Sequence, residues 1–339
     1  MNSIMKNTLS IRLKTLLSVI FTFIISCQHS QKQDQMETKP LFREDFIQSS
    51  GIKLHYLDWG GSGKPLILIH GLGDSPYIFL DLAASLRQNF RIIAYSRRGH
   101  CKSEATDMLY DNSTLVSDLK LLLDSLNISK ASLLGWSMGG NEITEFAIRY
   151  PERTNKLIYF EAGYDLSDEA FNNIVKIIPK SPLPDSSDLE TFNAYRKWYH
   201  NYWFADVDWN PALEANLKAT TRINPDSTVS TIPGDHIFKI VLETAKSYHR
   251  DYKMIQAPAL AIYSKPFFVP PVKNENIVSA YGEIEKNIIN PWRLRNMNQI
   301  RAELKNITIK EMPMGSHTSL LFLSRDSIIE CIDSFLLKE

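Results

Sequence analysis

The chain has 339 residues, of which 44% are hydrophobic and 11% aromatic, enough apolar material for a large packed core. Charged residues make up 22%, and 38 Lys and Arg balance 38 Asp and Glu. This balance argues against a basic surface for nucleic acid, and we expect no nucleic-acid partner. The length suits one large α/β domain with an insertion.

The first 26 residues are typical of a signal peptide. Lys6, Arg12 and Lys14 give a basic start, and the apolar run that follows is too short for a comfortable membrane span. The run ends in the sequence IISC, which resembles the lipobox of bacterial lipoproteins. That resemblance implies cleavage before Cys27 and acylation of this cysteine. It also implies export and lipid anchoring in a membrane of a bacterial cell envelope, on the periplasmic side or at the cell surface. A plain secretory signal and a short N-terminal anchor are the alternatives.

Residues 27–41 are polar and predict a tether, so the folded part should begin near Leu41. The pattern then predicts strands at 42–48 and 52–59 around a hairpin-like turn. The continuous apolar run 65–69 predicts a strand that is buried on both faces. Beyond it the pattern predicts a helix at 77–88, a strand at 91–95, a helix at 114–126, a strand at 131–135, a helix at 138–150 and a strand at 157–160. This alternation indicates a mostly parallel sheet with helices on both sides.

The motif Gly135-Trp136-Ser137-Met138-Gly139 stands between one of these strands and the following helix. In that setting G-x-S-x-G places a serine on a sharp turn with its hydroxyl exposed. Because the pattern also occurs by chance in Gly/Ser loops, an ordinary structural turn is the alternative. The strand before it and the helix after it favour a nucleophile.

Four motifs occur in an order that resembles the α/β-hydrolase superfamily. His70-Gly71-Leu72-Gly73 follows the third strand, where the family has its oxyanion-loop HG motif. The run 97–103 resembles the family's R-G-x-G-x-S turn, with Ser96 and Cys101 in place of the usual acid and glycine. The serine motif follows the fifth strand, and Gly315-Ser316-His317 follows a predicted eighth strand at 307–312.

The resemblance implies an α/β-hydrolase fold: a mostly parallel eight-stranded sheet, helices on both faces, and a helical cap between strands six and seven. The expected division of the chain is signal peptide 1–26, tether 27–41, core 42–164 and 256–339, and cap 165–255. An aromatic-rich helix at 192–204 lies in the cap. Its rings could form an apolar pocket wall, although we expect most of them to join the cap to the core.

By position, the resemblance implies Ser137 as nucleophile and His317 as its general base. The oxyanion hole would use the backbone N–H groups of Leu72 and Met138. The usual aspartate after the seventh strand is missing, because 264–271 contains no carboxylate. Glu161, directly after the sixth strand, is therefore the favoured acid, ahead of Asp165 and then Glu275. The alternative is that Glu161 has no catalytic role and is a loop carboxylate paired with an arginine.

The resulting prediction is a serine hydrolase that acts on a small-molecule acyl substrate and requires no cofactor or metal. A carboxylic ester is the favoured substrate class, and a lactone, a thioester and an amide are the alternatives. Serine at the turn argues against epoxide hydrolysis and dehalogenation, for which the family uses aspartate there. An aminopeptidase, a carbon–carbon bond hydrolase and a non-catalytic binding protein with a decayed triad remain as alternatives.

Overall fold

The computed structural model describes residues 41–49, 51–178, 183–271 and 274–338, so the signal segment and Cys27 lie outside the described residues. The strands are β1 (Arg43–Ser49), β2 (Ile52–Gly60), β3 (Pro65–Ile69), β4 (Arg91–Tyr95), β5 (Ala131–Trp136), β6 (Thr154–Phe160), β7 (Thr221–Ile223), β8 (Val229–Thr231), β9 (Ala259–Ser264) and β10 (Ile307–Met312). The α-helices are α1 (Leu80–Leu86), α2 (Asn112–Ser125), α3 (Gly139–Arg149), α4 (Glu169–Ile177), α5 (Phe192–Trp203), α6 (Pro211–Ala219), α7 (Asp235–Ser247), α8 (Glu275–Ile284), α9 (Asn290–Glu303), α10 (Leu320–Leu323) and α11 (Arg325–Leu337).

The main sheet has eight strands in the order β1-β2-β4-β3-β5-β6-β9-β10. Strand β2 pairs antiparallel with β1 and with β4, and the other neighbouring pairs are parallel. The prediction of an α/β-hydrolase fold with a mostly parallel sheet is therefore confirmed. Parallel strands place their carboxyl ends on one rim, so the loops after β3, β5, β6, β9 and β10 converge there.

Alternate residues of the central strands supply two separate hydrophobic cores. In β3, Ile67 and Ile69 pack on the face covered by α2, α3 and α9, and Leu66 and Leu68 pack on the face covered by α1 and α11. All four side chains are fully buried. Because both faces are covered, β3 reads as a continuous apolar run. Burial of each such side chain contributes about 1.5–3 kcal/mol to stability.

The segment between β6 and β9 contains helices α4 to α7, as the cap prediction expected, and also the small hairpin of β7 and β8. The sequence patterns predict neither that hairpin nor helices α8 and α9. Tyr195, Trp198 and Tyr199 of α5 are buried in the same core as α1 and α11. These rings therefore join the inserted segment to the sheet. In the described part of the chain, no helix has the length and apolar character needed to cross a membrane.

Close packing at the end of β5 requires a glycine at 135. A Cβ atom there would lie 2.4 Å from the carbonyl oxygen of Gly139, the first residue of α3. Gly139 has a similar restriction, because its Cβ would lie 2.7 Å from the carbonyl oxygen of Ile69 in β3. The two glycines let helix α3 begin directly against the sheet.

Gly135→Ala should lower the free energy of unfolding by about 1–3 kcal/mol, because strand and helix must move apart to admit the methyl group. Gly282→Ala is the matched control, since Gly282 lies in helix α8 with no atom within 4 Å of the added Cβ. It should raise stability by up to about 1 kcal/mol through helix propensity. Denaturant titration of both variants checks this. Equal stability of the two variants would contradict the packing account.

Candidate active site

Ser137 lies on the turn between β5 and α3 in a left-handed conformation, with φ of 53°. Its backbone N–H donates to the carbonyl oxygen of Phe160 at 3.0 Å, so the sheet ladder continues up to the turn. A left-handed backbone is unfavourable for a residue with a Cβ and persists only where the surroundings fix it. The turn lifts the hydroxyl to the carboxyl rim of the sheet, where it keeps some solvent exposure.

A chain of two hydrogen bonds joins Ser137, His317 and Glu161. His317 Nε2 lies 3.0 Å from Ser137 Oγ, and His317 Nδ1 lies 3.0 Å from Glu161 Oε2. The Glu161 side chain is 0% exposed whereas the His317 side chain is 17% exposed. The Glu161 carboxylate is therefore shielded from solvent, whereas part of the His317 ring is accessible to it. The three side chains have the separation and order of a nucleophile, a base and an orienting acid.

The other two candidate acids lie elsewhere. Asp165 accepts hydrogen bonds from the backbone and hydroxyl of Ser167, and its Oδ1 is 3.8 Å from Arg250. Glu275 is exposed at the start of helix α8. Neither forms a hydrogen bond with His317 in the described part of the chain. Glu161 is the candidate that the structure brings to the histidine.

The carboxylate of Glu161 is held by Ser264, the last residue of β9, and by Tyr164, three residues further along its own loop. The backbone N–H of Ser264 donates to Glu161 Oε1, and the Tyr164 hydroxyl donates to Oε2 at 3.1 Å. Glu161 has φ of 46°, a second strained turn at the end of the neighbouring strand. Burial and the Glu161 charge hold the pKa of Tyr164 well above its usual value, so the tyrosine remains a donor.

A buried arginine supports this arrangement from helix α9. Arg293 is 3% exposed and donates to the carbonyl oxygens of Ser264 and Lys265. Burial opposes its charge, but Tyr164 and Glu161 outweigh burial and raise the pKa of Arg293. Sequence reasoning missed both Arg293 and Tyr164. A signal existed only for Tyr164, which stands three residues after Glu161.

The Phe267 ring stacks against one face of the His317 imidazole. The two rings stack with centroids 4.3 Å apart, and the backbone N–H of His317 donates to the Phe267 carbonyl oxygen at 3.0 Å. Glu285 accepts from the backbone N–H of Phe267 at 2.9 Å and belongs to a π-helical turn, Glu285–Ile289. Such turns are often found at functional sites. Burial raises the pKa of Glu285.

The two loops expected to form the oxyanion hole flank Ser137. In the described part of the chain, the backbone N–H groups of Leu72 and Met138 donate to no other group. Met138 immediately precedes α3, so its N–H is one of the open donors of a helix start. Both donors are thus available to an oxyanion, although their role stays a prediction.

Arg97 braces the loop after β3. Its guanidinium donates to the carbonyl oxygens of His70 and Gly71 and pairs with Glu142 of α3, and both charged side chains are 1% exposed. Tyr95 donates to the other Glu142 oxygen at 2.5 Å. Burial and the Arg97 charge lower the pKa of His70 well below its usual value. His70 is therefore neutral in this buried network and is structural.

This arrangement allows a proton to move from the Ser137 hydroxyl to His317, and Glu161 can stabilise the imidazolium that results. Across the described ranges, no group of three or more His, Cys, Asp or Glu side chains is arranged to hold a metal ion.

The chain resembles known proteins in sequence over much of its length. Residues 64–264, more than half of the chain, match the alpha/beta hydrolase fold family. The chain is 36% identical to epoxide hydrolase 4 of Mus musculus over 115 residues, 33% of this chain and 32% of that protein. It is 26% identical to the cis-3-alkyl-4-alkyloxetan-2-one decarboxylase of Shewanella oneidensis over 254 residues, 69% of this chain and 76% of that protein. The chain thus spans about a third of the length of the first curated relatives it matches.

Two solved structures resemble the fold over most of its length. One is E-2-(acetamidomethylene)succinate hydrolase, with a TM-score of 0.66, 16% identity, and coverage of 88% of this chain and 100% of that one. The other is the esterase EaEST from Exiguobacterium antarcticum, with a TM-score of 0.64, 17% identity, and coverage of 87% and 100%. At these identities the likeness shows the fold alone.

Glu161→Gln should lower kcat by about 10³–10⁴, because the imidazolium loses its charged partner while the oxyanion hole still works. Asp165→Asn and Glu275→Gln are matched controls and should stay close to the wild type. Turnover of one activated ester by the three variants checks this. A larger loss in either control than in Glu161→Gln would show that the acid is wrongly assigned.

Proposed function

The chain belongs to the α/β-hydrolase family, and from this premise we propose that it is a serine hydrolase with Ser137 as nucleophile. Its substrate is a small molecule with an ester, lactone, thioester or amide carbonyl, of which a carboxylic ester is favoured. The observation that carries the proposal is the hydrogen-bonded chain from Ser137 through His317 to Glu161. A serine hydroxyl alone is a weak nucleophile, and this chain supplies the base it needs.

The reaction has two halves. His317 Nε2 takes the proton of Ser137 as its oxygen attacks the carbonyl carbon, and the N–H groups of Leu72 and Met138 receive the negative oxygen. The imidazolium, held by Glu161, then protonates the leaving group and an acyl-enzyme forms. Water attacks the acyl-enzyme with His317 as base, and His317 returns that proton to Ser137 Oγ as the acid is released. The first proton transfer, from Ser137 to His317, joins side chains that are already in hydrogen-bond contact.

Among the functions open to this fold, catalysis is favoured over a binding protein with a decayed triad. The hypothesis of a decayed triad depends on the missing aspartate after the seventh strand. Glu161 reaches the same histidine from the neighbouring strand, and three donors, Ser264, Tyr164 and His317, surround its carboxylate. The unbroken hydrogen-bond chain from Ser137 to Glu161 therefore supports a working triad.

We further propose that the mature protein begins at Cys27 and is anchored by lipid to a bacterial envelope membrane, where it meets its substrate. The support is the basic start, the short apolar run and the IISC sequence of the first residues. Several acyl chains hold a protein stably on a membrane, whereas one does not. The polar stretch after Cys27 would act as the tether.

Ser137→Ala should lower ester turnover by about 10⁶ and leave folding unchanged, because the triad acts as a unit. A fluorophosphonate probe should label the wild type and leave the variant unlabelled. Ser129→Ala, which removes an exposed serine in the turn before β5, is the matched control and should behave as the wild type. Turnover of Ser137→Ala within tenfold of the wild type would mean that another group is the nucleophile.

Cys27→Ser should abolish lipidation, because the thiol that receives the first acyl group is gone. Metabolic labelling of bacterial cells with a palmitate analogue, followed by isolation of the full chain, should tag the wild type and miss the variant. Cys331→Ser is the control cysteine, and its labelling should equal that of the wild type. Equal labelling of Cys27→Ser and the wild type would contradict the lipoprotein proposal.

A further inference from the structure

A carboxylate that the triad does not use lies beside the nucleophile. Asp74 follows Leu72 by two residues in the loop after β3, and its backbone N–H turns back to the Gly71 carbonyl oxygen at 3.5 Å. A Cβ placed on Gly71 would lie 3.0 Å from Asp74 Oδ2 and 3.6 Å from Ser137 Cβ. Asp74 Oδ2 and the Ser137 side chain therefore both lie on the side of Gly71 to which a Cβ would point, and Asp74 keeps some solvent exposure.

Only one of the two carboxylate oxygens has a partner in the described chain. Asn216 Nδ2, from helix α6, donates to Asp74 Oδ1 at 3.0 Å and to the Tyr199 hydroxyl at 3.0 Å. Asn216 Oδ1 accepts from the backbone and hydroxyl of Ser75 at 2.9 and 2.7 Å. Asn216 is fully buried, so it fixes the orientation of Asp74 from the inserted segment. Among the described residues, Oδ2 accepts no hydrogen bond.

The surroundings of Asp74 compensate little of its negative charge. Burial raises the pKa of this carboxyl to about 6, although the Asn216 hydrogen bond and the charges of His317 and Arg97 act to lower it. Arg97 is already paired with Glu142. At neutral pH an ionised carboxylate beside the oxyanion hole would oppose the negative oxygen that forms there. A donor on the substrate would remove this conflict.

We infer that Asp74 forms a subsite for a hydrogen-bond donor, a protonated amine above all, that the acyl group carries next to its scissile carbonyl. The inference rests on the proposed function and narrows its substrate class to aminoacyl or hydroxyacyl derivatives. Asp74 Oδ2 accepts the donor while Asn216 keeps the side chain in place. Asp74 contacts the substrate without taking part in the proton transfers.

Three esters of nearly equal size test the inference: the p-nitrophenyl esters of 2-aminopropanoic, 2-hydroxypropanoic and 2-methylpropanoic acid. They place an ammonium, a hydroxyl or a methyl group at one position. With the full chain in detergent, Asp74→Asn should lower the kcat/KM ratio of the amino to the methyl ester about tenfold. The ratio of the hydroxy to the methyl ester should fall by less. Asp81→Asn, an exposed carboxylate on α1, should leave both ratios unchanged.

The pH dependence of the wild type provides a second test that needs no variant. The charged groups facing Asp74 are His317 and Arg97, with Asn216 and Tyr199 as its polar neighbours. As the pH falls through about 6, Asp74 gains a proton while the substrate amine stays charged, so the amino-to-methyl ratio should fall. His317 serves both esters equally and cancels in the ratio.

Ratios that are the same in the wild type and Asp74→Asn, or a wild-type ratio that does not change with pH, would overturn the subsite. An equal loss on all three esters would also overturn it and assign Asp74 a purely structural role. These results differ from failure of the proposed function, in which no ester would be hydrolysed in a Ser137-dependent way.

Discussion

Two strained turns at the ends of neighbouring strands determine this site. Ser137 and Glu161 both adopt left-handed backbone conformations, with φ of 53° and 46°, at the residue after β5 and β6. Each costs on the order of 1–3 kcal/mol for a residue with a Cβ. The sheet offsets this cost, because Ser137 N–H bonds to Phe160 and Glu161 N–H bonds to Ile262 across the ladder. Adjacent parallel strands thus present the proposed nucleophile and the proposed acid on one rim, and His317 bridges them from a third loop.

Two buried guanidinium groups hold the loops that surround those turns. Arg97 binds the carbonyl oxygens of the loop after β3, and Arg293 binds those of Ser264 and Lys265 at the end of β9. The Gly71 carbonyl oxygen faces the Arg97 guanidinium, so the Leu72 N–H of the same trans peptide points the opposite way, which suits an oxyanion hole there. The Arg97 guanidinium depends on the Glu142 carboxylate, since removing one partner of a buried pair costs about 3–5 kcal/mol.

Local patterns were sufficient for most of the sheet and for the nucleophile motif. Strands β3, β4 and β10 coincide with their predicted ranges, and for β3 and β4 the reason is an apolar run between turn residues, which has few alternative structures. The sequence favours Glu161 over Asp165 and Glu275 because 264–271 lacks a carboxylate and Glu161 directly follows a strand, where the backbone is most rigid. Arg293 and Asn216 could not be predicted, because their contacts join residues far apart in sequence. The short strands β7 and β8, with Arg222 and Ile223 exposed, carry no alternating pattern.

Formation of an acyl-enzyme on Ser137 is the central claim, and rapid mixing with an activated ester measures it directly. The account predicts a burst of one equivalent of leaving group per active site, followed by slower turnover. Mass analysis of the quenched protein should place a single acyl group on the peptide that contains Ser137. Turnover without a burst, together with an acyl group on any other residue, would contradict the account.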